Sequence, residues 1–493
     1  YKPFYMPFCD LCCLCTMGKC DLTAGKRGAC GLDMASQQSR IVLLASCIGA
    51  ATHTAHARHL VEYLIEKYGQ DSPIDVGGDA VQLEAPVTRL VCGVKPETLG
   101  DLEEVLDYLE REITHLLSAT HTGQEGSELD FESKVLHAGM IDQVALEVAD
   151  IAQISALGFP KADPEASLVD IGFGAIDSSK PVILVIGHNV LPSIQIADYL
   201  TDKNLYGQVE VAGICCTAHD LTRYSSTAKI VGPISWQLRF IRSGVPDVIV
   251  VDEQCIRADA LLEAQKIGAP LIATSEKNCL GLENRSDDDA NTIVSDLVEG
   301  RTPGVLILKP ELAGEVAART ALAVAPKRKK SKAIPEVSEI VEAAKGCVRC
   351  DECRRACPND VPIQEAILEA AEGDLSKLAA LYELCIGCGK CESACRSHLP
   401  IHSFIVKAAE KETKEEKFKI RAGRGAIQDL EIRNVGAPIV LGEIPGVIAF
   451  VGCANYPKGG AEVARMIDEF AKRRYIVVTS GCAAMSAGMH KNE

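Results

Sequence analysis

Eight cysteines in two matching sets constrain the fold of this 493-residue chain more than any other feature of its sequence. The sets are Cys347-x2-Cys350-x2-Cys353-x3-Cys357 and Cys385-x2-Cys388-x2-Cys391-x3-Cys395. Three thiolates at these gaps can reach three corners of one [4Fe–4S] cube, whereas the fourth is better placed for a neighbouring cube. We therefore predict one cluster held by Cys347, Cys350, Cys353 and Cys395, and a second held by Cys357, Cys385, Cys388 and Cys391. Two zinc sites are the alternative, but zinc does not explain the third and fourth cysteine of each set.

The whole chain has 22 cysteines, and its composition indicates a reduced protein rather than a disulfide scaffold. It is long and 47% hydrophobic, whereas disulfide scaffolds are short and secreted. The net charge of −17 argues against nucleic acid or an anionic membrane as the main partner. Neither a signal-peptide pattern nor an apolar run long enough to cross a membrane is evident, so we expect a cytoplasmic location.

Six further cysteines lie within the first thirty residues, which is two more than one cubane cluster needs. The simplest solution is one complete [4Fe–4S] cluster, leaving two cysteines as half of a second site. Half a site and its symmetry mate would make a cluster shared across a twofold axis of a homodimer, although two spare structural thiols remain the alternative. The complete cluster is assigned to Cys12, Cys15, Cys20 and Cys30, and the half-site to Cys9 and Cys13.

Hydrophobic patterning predicts a multidomain α/β protein. From about Ile41 to Leu157, apolar residues recur at three-and-four spacing, which indicates helices. After Lys180, short apolar runs alternate with helical stretches, as in parallel sheets of the Rossmann type. The predicted domains are an N-terminal Fe–S segment (1–40), a helical domain (41–165), a first Rossmann-like domain (166–325), a linker with the two-cluster module (326–410), and a second Rossmann-like domain, incomplete at its end (411–493).

A dispersed set of histidine and cysteines follows the predicted strands. Each member lies just beyond the carboxyl end of an apolar run, where open α/β sheets gather ligands. Together they could hold one metal centre with mixed imidazole and thiolate ligands, although a single buried cysteine is usually packing. The set comprises His188, the pair Cys215-Cys216, Cys255, Cys453 and Cys482. Cys47, Cys92, Cys215 and Cys279 are interpreted as structural thiols.

Three histidines, His53, His56 and His59, recur every third residue in a predicted helix. This spacing puts them on one broad face, where they could conduct protons or line a pocket. A polar helix face with incidental histidines is the alternative.

With these motifs in place, the chain resembles the nickel-containing anaerobic carbon monoxide dehydrogenases over nearly its whole length. The two-cluster module resembles bacterial ferredoxins, with Arg396 where a proline usually follows. Its insertion is similar to the α subunits of archaeal acetyl-CoA decarbonylase/synthase complexes. The resemblance implies CO + H2O ⇌ CO2 + 2H⁺ + 2e⁻ at a Ni–Fe–S cluster. It also implies that His188, Cys216, Cys255, Cys453 and Cys482 are ligands, that His53 orients CO, and that His56 and His59 relay protons.

The same resemblance implies partners and further cofactors. Electrons would leave through four types of [4Fe–4S] cluster to ferredoxin, and the subunit would pair with itself, a small accessory subunit, acetyl-CoA synthase and corrinoid Fe–S components. The family's nickel-binding cysteine and catalytic lysine fall beyond residue 493, so we expect the sequence to be part of a longer subunit. A hydroxylamine reductase-like hybrid-cluster enzyme and a non-catalytic polyferredoxin subunit are the competing hypotheses.

Overall fold

The computed structural model describes most of the chain in two compact units, residues 1–161 and 162–493. The described ranges are 10–74, 85–121, 127–159, 168–328, 335–415, 418–421, 428–429, 446–450 and 459–489. Within these ranges no helix is both long enough and apolar enough to span a membrane.

The first unit is helical after a short N-terminal hairpin. Strands β1 (Leu11–Cys12) and β2 (Cys20–Asp21) pair antiparallel. The α-helices that follow among the described residues of this unit are α1 (Met34–Tyr68), α2 (Pro86–Cys92), α3 (Leu99–Ala119) and α4 (Glu128–Leu157). The Asp33 carboxylate caps the start of α1 by accepting from the Ser36 amide, and a left-handed Gly158 ends α4. Helix α1 packs against α3 and α4, which buries leucine and isoleucine side chains between them.

An eight-stranded sheet forms the centre of the second unit. Its order is β10-β3-β6-β5-β4-β7-β8-β9, and every neighbouring pair is parallel except β10 with β3. Strands β4 and β5 are buried along their whole length because helices cover both faces, which explains their continuous apolar sequences. The strands are β3 (Leu168–Ile171), β4 (Val182–Ile186), β5 (Glu210–Ile214), β6 (Lys229–Gly232), β7 (Val248–Val251), β8 (Leu271–Ala273), β9 (Gly304–Leu306) and β10 (Phe418–Arg421).

Six helices connect the strands of the large sheet. They are α5 (Leu191–Asp202), α6 (Cys216–Tyr224), α7 (Gln237–Arg242), α8 (Ala260–Lys266), α9 (Ala290–Val298) and α10 (Pro310–Val324). The two-cluster module is a set of short helices with its own apolar core. Its helices are α11 (Val337–Ala344), α12 (Glu352–Arg355), α13 (Ile363–Ala371), α14 (Ser376–Ala380), α15 (Lys390–Ala394), α16 (Ile401–Ala408) and α17 (Glu410–Glu415).

A second, three-stranded sheet lies towards the end of the chain, in the order β11-β13-β12. Its strands are β11 (Gln428–Asp429), β12 (Val447–Phe450) and β13 (Ile476–Ser480), with helices α18 (Gly459–Lys472) and α19 (Cys482–Met489). The parallel pairing of β12 with β13 agrees with a Rossmann-like segment.

The structure confirms the multidomain α/β class, and it shows one strand pairing that crosses a predicted boundary. Residues 411–493 were assigned to a second domain, yet β10 within that range pairs with β3 at the edge of the first sheet. Strand pairing joins segments that are distant in sequence, so a change in local patterning at residue 411 could not reveal it. The first helix also begins at Met34, earlier than the predicted boundary at 41.

Candidate metal centre

Two of the predicted ligands, His188 and Cys255, converge with Cys215 at one edge of the large sheet. Strands β5, β4 and β7 are parallel neighbours, so their carboxyl ends lie side by side. His188 follows β4, Cys215 follows β5 and Cys255 follows β7, and their ligand atoms all lie within 4.8 Å of one another. The side chains thus form a compact group of one imidazole and two thiols.

The loop that carries His188 is held by a buried carboxyl group. Gly187 has a φ of +139°, and a Cβ atom there would lie 1.7 Å from Oδ1 of Asp252. That oxygen accepts a hydrogen bond from the His188 amide at 2.6 Å. Asp252 is 3% exposed, and this burial raises the pKa of its carboxyl group well above the usual value. Only glycine at position 187 allows the carboxyl group to approach this closely and fix the histidine backbone.

The Cys255 loop is fixed by Gln237, the buried first residue of α7. The Gln237 side-chain amide donates to the Cys255 carbonyl at 2.7 Å, and its oxygen accepts from the Arg257 amide at 3.3 Å. Gln254 and Cys255 both adopt left-handed backbone conformations, with φ of +68° and +56°. Non-glycine residues are rare in this region, so the surrounding contacts must impose it.

The paired cysteines Cys215 and Cys216 both lie at the site. The ligand role was given to Cys216 and a packing role to Cys215, but the structure groups the sulfur of Cys215 with His188 and Cys255. Cys215 has a φ of +71° immediately before α6, a local geometry that residue spacing does not reveal. Cys216 also lies at the site, with its sulfur 4.0 Å from that of Cys215 and in contact with His188.

Cys482 begins α19 and approaches a histidine that sequence analysis missed. Its sulfur is 3.5 Å from Nε2 of His219 on α6, and both side chains are buried. His219 is the third residue after Cys216 on the same helix, and this spacing was the only sequence signal for it. Cys453 lies outside the described residues.

Electrostatics within the group favour a bound cation. Burial by itself lowers the pKa of His188, but the neighbouring Cys216 thiolate, with Cys255 and Asp252, outweighs it and raises the pKa to about 10. Hydrogen bonding from Cys215 lowers the pKa of Cys216. Imidazole and thiolate are ligands for iron, nickel and zinc, so this donor set fits a Ni–Fe–S cluster of mixed ligation.

The N-terminal hairpin brings together part of its predicted cluster. Cys12 pairs with Cys20 across the two strands, and the Ala29 amide donates to the Cys20 sulfur at 3.3 Å. Cys20 and Cys30 both lie beside Gly28. Cys13 is exposed and Cys15 is half-buried, whereas Cys9 lies outside the described residues.

The three histidines of α1 occupy different environments. His53 is half-buried, and its Nδ1 lies 2.6 Å from Oδ1 of Asp142 on α4. His56 is buried and His59 is half-buried. Sequence analysis did not identify Asp142, because a partner on another helix leaves no local pattern.

Six of the eight cysteines of the module lie on loops between its short helices, whereas Cys353 lies in α12 and Cys391 in α15. Burial raises the pKa of the Cys385 thiol, and the charges of Cys388 and Cys357 raise it further. Burial and then Cys385 do the same for Cys391. Backbone amides donate to two of the sulfurs, from Gly387 to Cys385 at 3.3 Å and from Leu399 to Cys395 at 3.5 Å. Amide-to-sulfur hydrogen bonds suit thiolates that bind an iron–sulfur cluster.

The family model and the most similar curated proteins point to the same family. The family model described as "Prismane/CO dehydrogenase family" matches residues 10–79 and 79–492. Acetyl-CoA decarbonylase/synthase complex subunits alpha from Methanothermobacter thermautotrophicus and Methanocaldococcus jannaschii are 61% and 56% identical over the whole chain. The chain spans 63% of the length of each.

Solved structures share the fold at low sequence identity. Carbon monoxide dehydrogenase IV from Carboxydothermus hydrogenoformans has a TM-score of 0.58 and 18% identity, covering 97% of this chain and 70% of its own. A structure described as "NiZn[Fe4S4] and NiNi[Fe4S4] clusters in closed and open alpha subunits of acetyl-CoA synthase/carbon monoxide dehydrogenase" has a TM-score of 0.59 and 16% identity, covering 99% and 67%. Because the family model matches nearly the entire sequence, the chain belongs to the Prismane/CO dehydrogenase family.

Proposed function

We propose that this chain is the carbon monoxide dehydrogenase subunit of an archaeal acetyl-CoA decarbonylase/synthase complex. Its reaction would be CO + H2O ⇌ CO2 + 2H⁺ + 2e⁻. The observation that carries the proposal is the convergence of His188, Cys215 and Cys255 within 4.8 Å at the carboxyl edge of a parallel sheet, in a chain of this family. When bound, a Ni–Fe–S cluster supplies a site for CO and the Lewis acidity that makes water nucleophilic near neutral pH.

The residues of the chain hold and orient that centre. His188, one or both of Cys215 and Cys216, Cys255, Cys453 and Cys482 are the proposed ligands. Asp252 and Gln237 fix the backbone of the His188 and Cys255 loops, so that the donors stay in place when the cluster changes charge. His53, supported by Asp142, and His56 and His59 take the proton-handling roles that the family resemblance implies.

The other cysteine sets would carry the electrons. Cys12, Cys15, Cys20 and Cys30 form one [4Fe–4S] site, and Cys9 and Cys13 share another with a second copy of the subunit. The two clusters of the module give electrons a route to ferredoxin. Partners in this proposal are the same subunit, a small accessory subunit, acetyl-CoA synthase and corrinoid Fe–S components, in the cytoplasm of a methanogen-like archaeon.

Anaerobic metal and sulfide analysis of the intact subunit, paired with CO-dependent reduction of a viologen dye, tests the proposal. We expect nickel near one per subunit and CO-driven reduction. A Cys255→Ala variant should lose both, while a Cys279→Ala variant, which removes a thiol packed against the sheet core, should keep both. Parallel Cys215→Ser and Cys216→Ser variants show which of the two is required.

Two other results would contradict the proposal. Abundant iron and sulfide without nickel or a CO response would indicate a polyferredoxin-like electron carrier. Hydroxylamine-dependent oxidation of reduced viologen without a CO response would indicate a hybrid-cluster enzyme.

A further inference from the structure

Arg239 is a buried arginine at the junction between the large sheet and the two-cluster module. It lies on α7, and its side chain is enclosed so that the residue is 4% exposed. The guanidinium carbon is 3.7 Å from the ring centre of Trp236 on one side and 3.7 Å from that of Tyr382 on the other. Two aromatic rings therefore hold the planar cation between them.

The charge of Arg239 has no counter-ion among the described residues. None of its three guanidinium nitrogens has a hydrogen-bond partner in that part of the chain. One turn further along α7, Arg242 is fully matched, because it forms ion pairs with Glu392 and with Glu263 at 3.2 Å and donates to the Gly387 carbonyl at 2.9 Å. Burial of an unpaired cation is costly, and stacking on rings offsets only part of that cost. The buried guanidinium of Arg239 therefore favours a negatively charged group nearby.

The cysteine loop of the module lies directly against Arg239. A Cβ atom at Gly387 would be 2.6 Å from the Arg239 amide nitrogen, so the two backbones are in contact. Gly387 lies between Cys385 and Cys388, and Tyr382 precedes Cys385 by three residues. The stacked guanidinium therefore lies next to the segment that carries Cys385 and Cys388.

We propose that Arg239 is the counter-cation of the iron–sulfur cluster held by Cys357, Cys385, Cys388 and Cys391, and that it raises the reduction potential of this cluster above that of the cluster held by Cys347, Cys350, Cys353 and Cys395. The inference rests on the proposed function, which supplies the two clusters. Four thiolates make such a cluster anionic, and reduction adds one electron and one further negative charge. A fixed cation stabilises the reduced form more than the oxidised form, so the potential rises.

The charges around the other cluster explain why the reduction potentials of the two clusters should differ. The arginines beside the ligands of that cluster lie at the surface or pair with carboxylates: Arg349 is exposed, Arg354 pairs with Asp360, and Arg355 and Arg396 pair with Glu352. Solvent and these carboxylates screen their charge, so they stabilise a reduced cluster much less than a buried unpaired guanidinium does. Electrons that enter the module should therefore settle on the cluster beside α7.

A redox titration of the intact subunit, monitored by electron paramagnetic resonance, tests the role of Arg239. In an Arg239→Gln variant, the ratio of reduced to oxidised cluster at a fixed poise should fall about tenfold for one cluster, equivalent to about 59 mV for a one-electron couple. The signal of the other module cluster should not move. The Arg239→Lys variant should retain most of the rise in reduction potential that Arg239 gives. The control Arg319→Gln, which removes a cation paired with Glu315 on α10, should change neither signal.

The outcomes separate this inference from the proposed function. An absence of acid-labile sulfide and of cluster signals would contradict the cluster assignment itself. Two clusters whose potentials are the same in wild type and Arg239→Gln would overturn the role of Arg239 alone. If the Arg239→Gln variant does not fold, the higher-potential signal of the wild-type subunit can still be assigned to one of the two clusters by cysteine variants. The higher-potential signal should be lost in Cys388→Ala, and its loss in Cys350→Ala instead would overturn the inference.

Discussion

Replacing Gly187 with alanine is expected to destabilise the second unit and loosen the candidate metal centre. A side chain at a φ of +139° costs about 1–3 kcal/mol in backbone strain. The new Cβ would lie 1.7 Å from Oδ1 of Asp252, so the carboxyl group must move. That oxygen accepts from the amides of His188 and Glu253, and each buried donor left without its acceptor costs about 1–3 kcal/mol. The total, roughly 3–9 kcal/mol, is comparable with the whole stability of a typical domain.

Urea unfolding of the Gly187→Ala variant, followed by circular dichroism, measures this cost, and the iron-to-protein ratio measures the effect on the site. The matched control is Gly207→Ala, because Gly207 also has a positive φ, +79°, but nothing lies within 4 Å of the added Cβ. The control should lose only the backbone cost and retain its iron. If both variants unfold at the same urea concentration, Asp252 does not depend on the space that glycine leaves, and the reasoning fails.

Three further predictions follow from buried polar contacts. Gln237→Leu removes both hydrogen bonds to the Cys255 loop, so the variant should lose iron to a chelator faster than wild type, while Gln208→Leu on the surface should not. Burial and then the cations of Arg242 and Arg239 lower the pKa of His402 to about 3. Because the unfolded chain takes up this proton near pH ~6.5, stability should be full above that pH and fall by up to ~1.4 kcal/mol per pH unit as the pH drops towards about 3. Urea unfolding measured across this pH range should show that the free energy of unfolding of His402→Gln depends less steeply on pH than that of wild type. An unchanged pH dependence would contradict the lowered pKa of His402. Arg328→Met leaves the fully buried Asp247 without its ion pair, and the loss should be about 3 kcal/mol in urea unfolding, against less than about 1 kcal/mol for the exposed pair broken by Arg301→Met.

The parts of the fold that local patterning encodes could be predicted from the sequence. Strands β4, β5, β7 and β8 coincide with continuous apolar runs, because strands covered on both faces bury every residue. Their parallel arrangement also explains why His188 and Cys255 could be grouped before their distance was known. Strands β3 and β6 stand out less in the sequence, because a charged residue, Asp170 or Lys229, interrupts the apolar pattern of each.

Features created by tertiary contact were not predictable. His219, Gln237 and Asp142 gain their roles from partners that are distant in sequence or from loops that fold back on them. The left-handed backbone at Cys215, which brings its sulfur into the group, is a local conformation that residue spacing does not encode. Arg328 lies in the segment that was predicted to be a linker, yet its guanidinium binds the buried Asp247 and three carbonyl groups. Residue composition does not reveal that one arginine of a linker is enclosed by distant parts of the chain.

The position of β10 in the large sheet sets an order of events during synthesis. Its partner β3 leaves the ribosome roughly 250 residues earlier, which at ~5–20 residues per second amounts to about 12–50 s. During that time β3 has an open edge that can pair with the wrong strand. The whole two-cluster module is translated within this interval, so it emerges before the first sheet can close. Delivery of iron and sulfide to the module on this timescale would therefore let the clusters form before β10 seals the edge of the sheet.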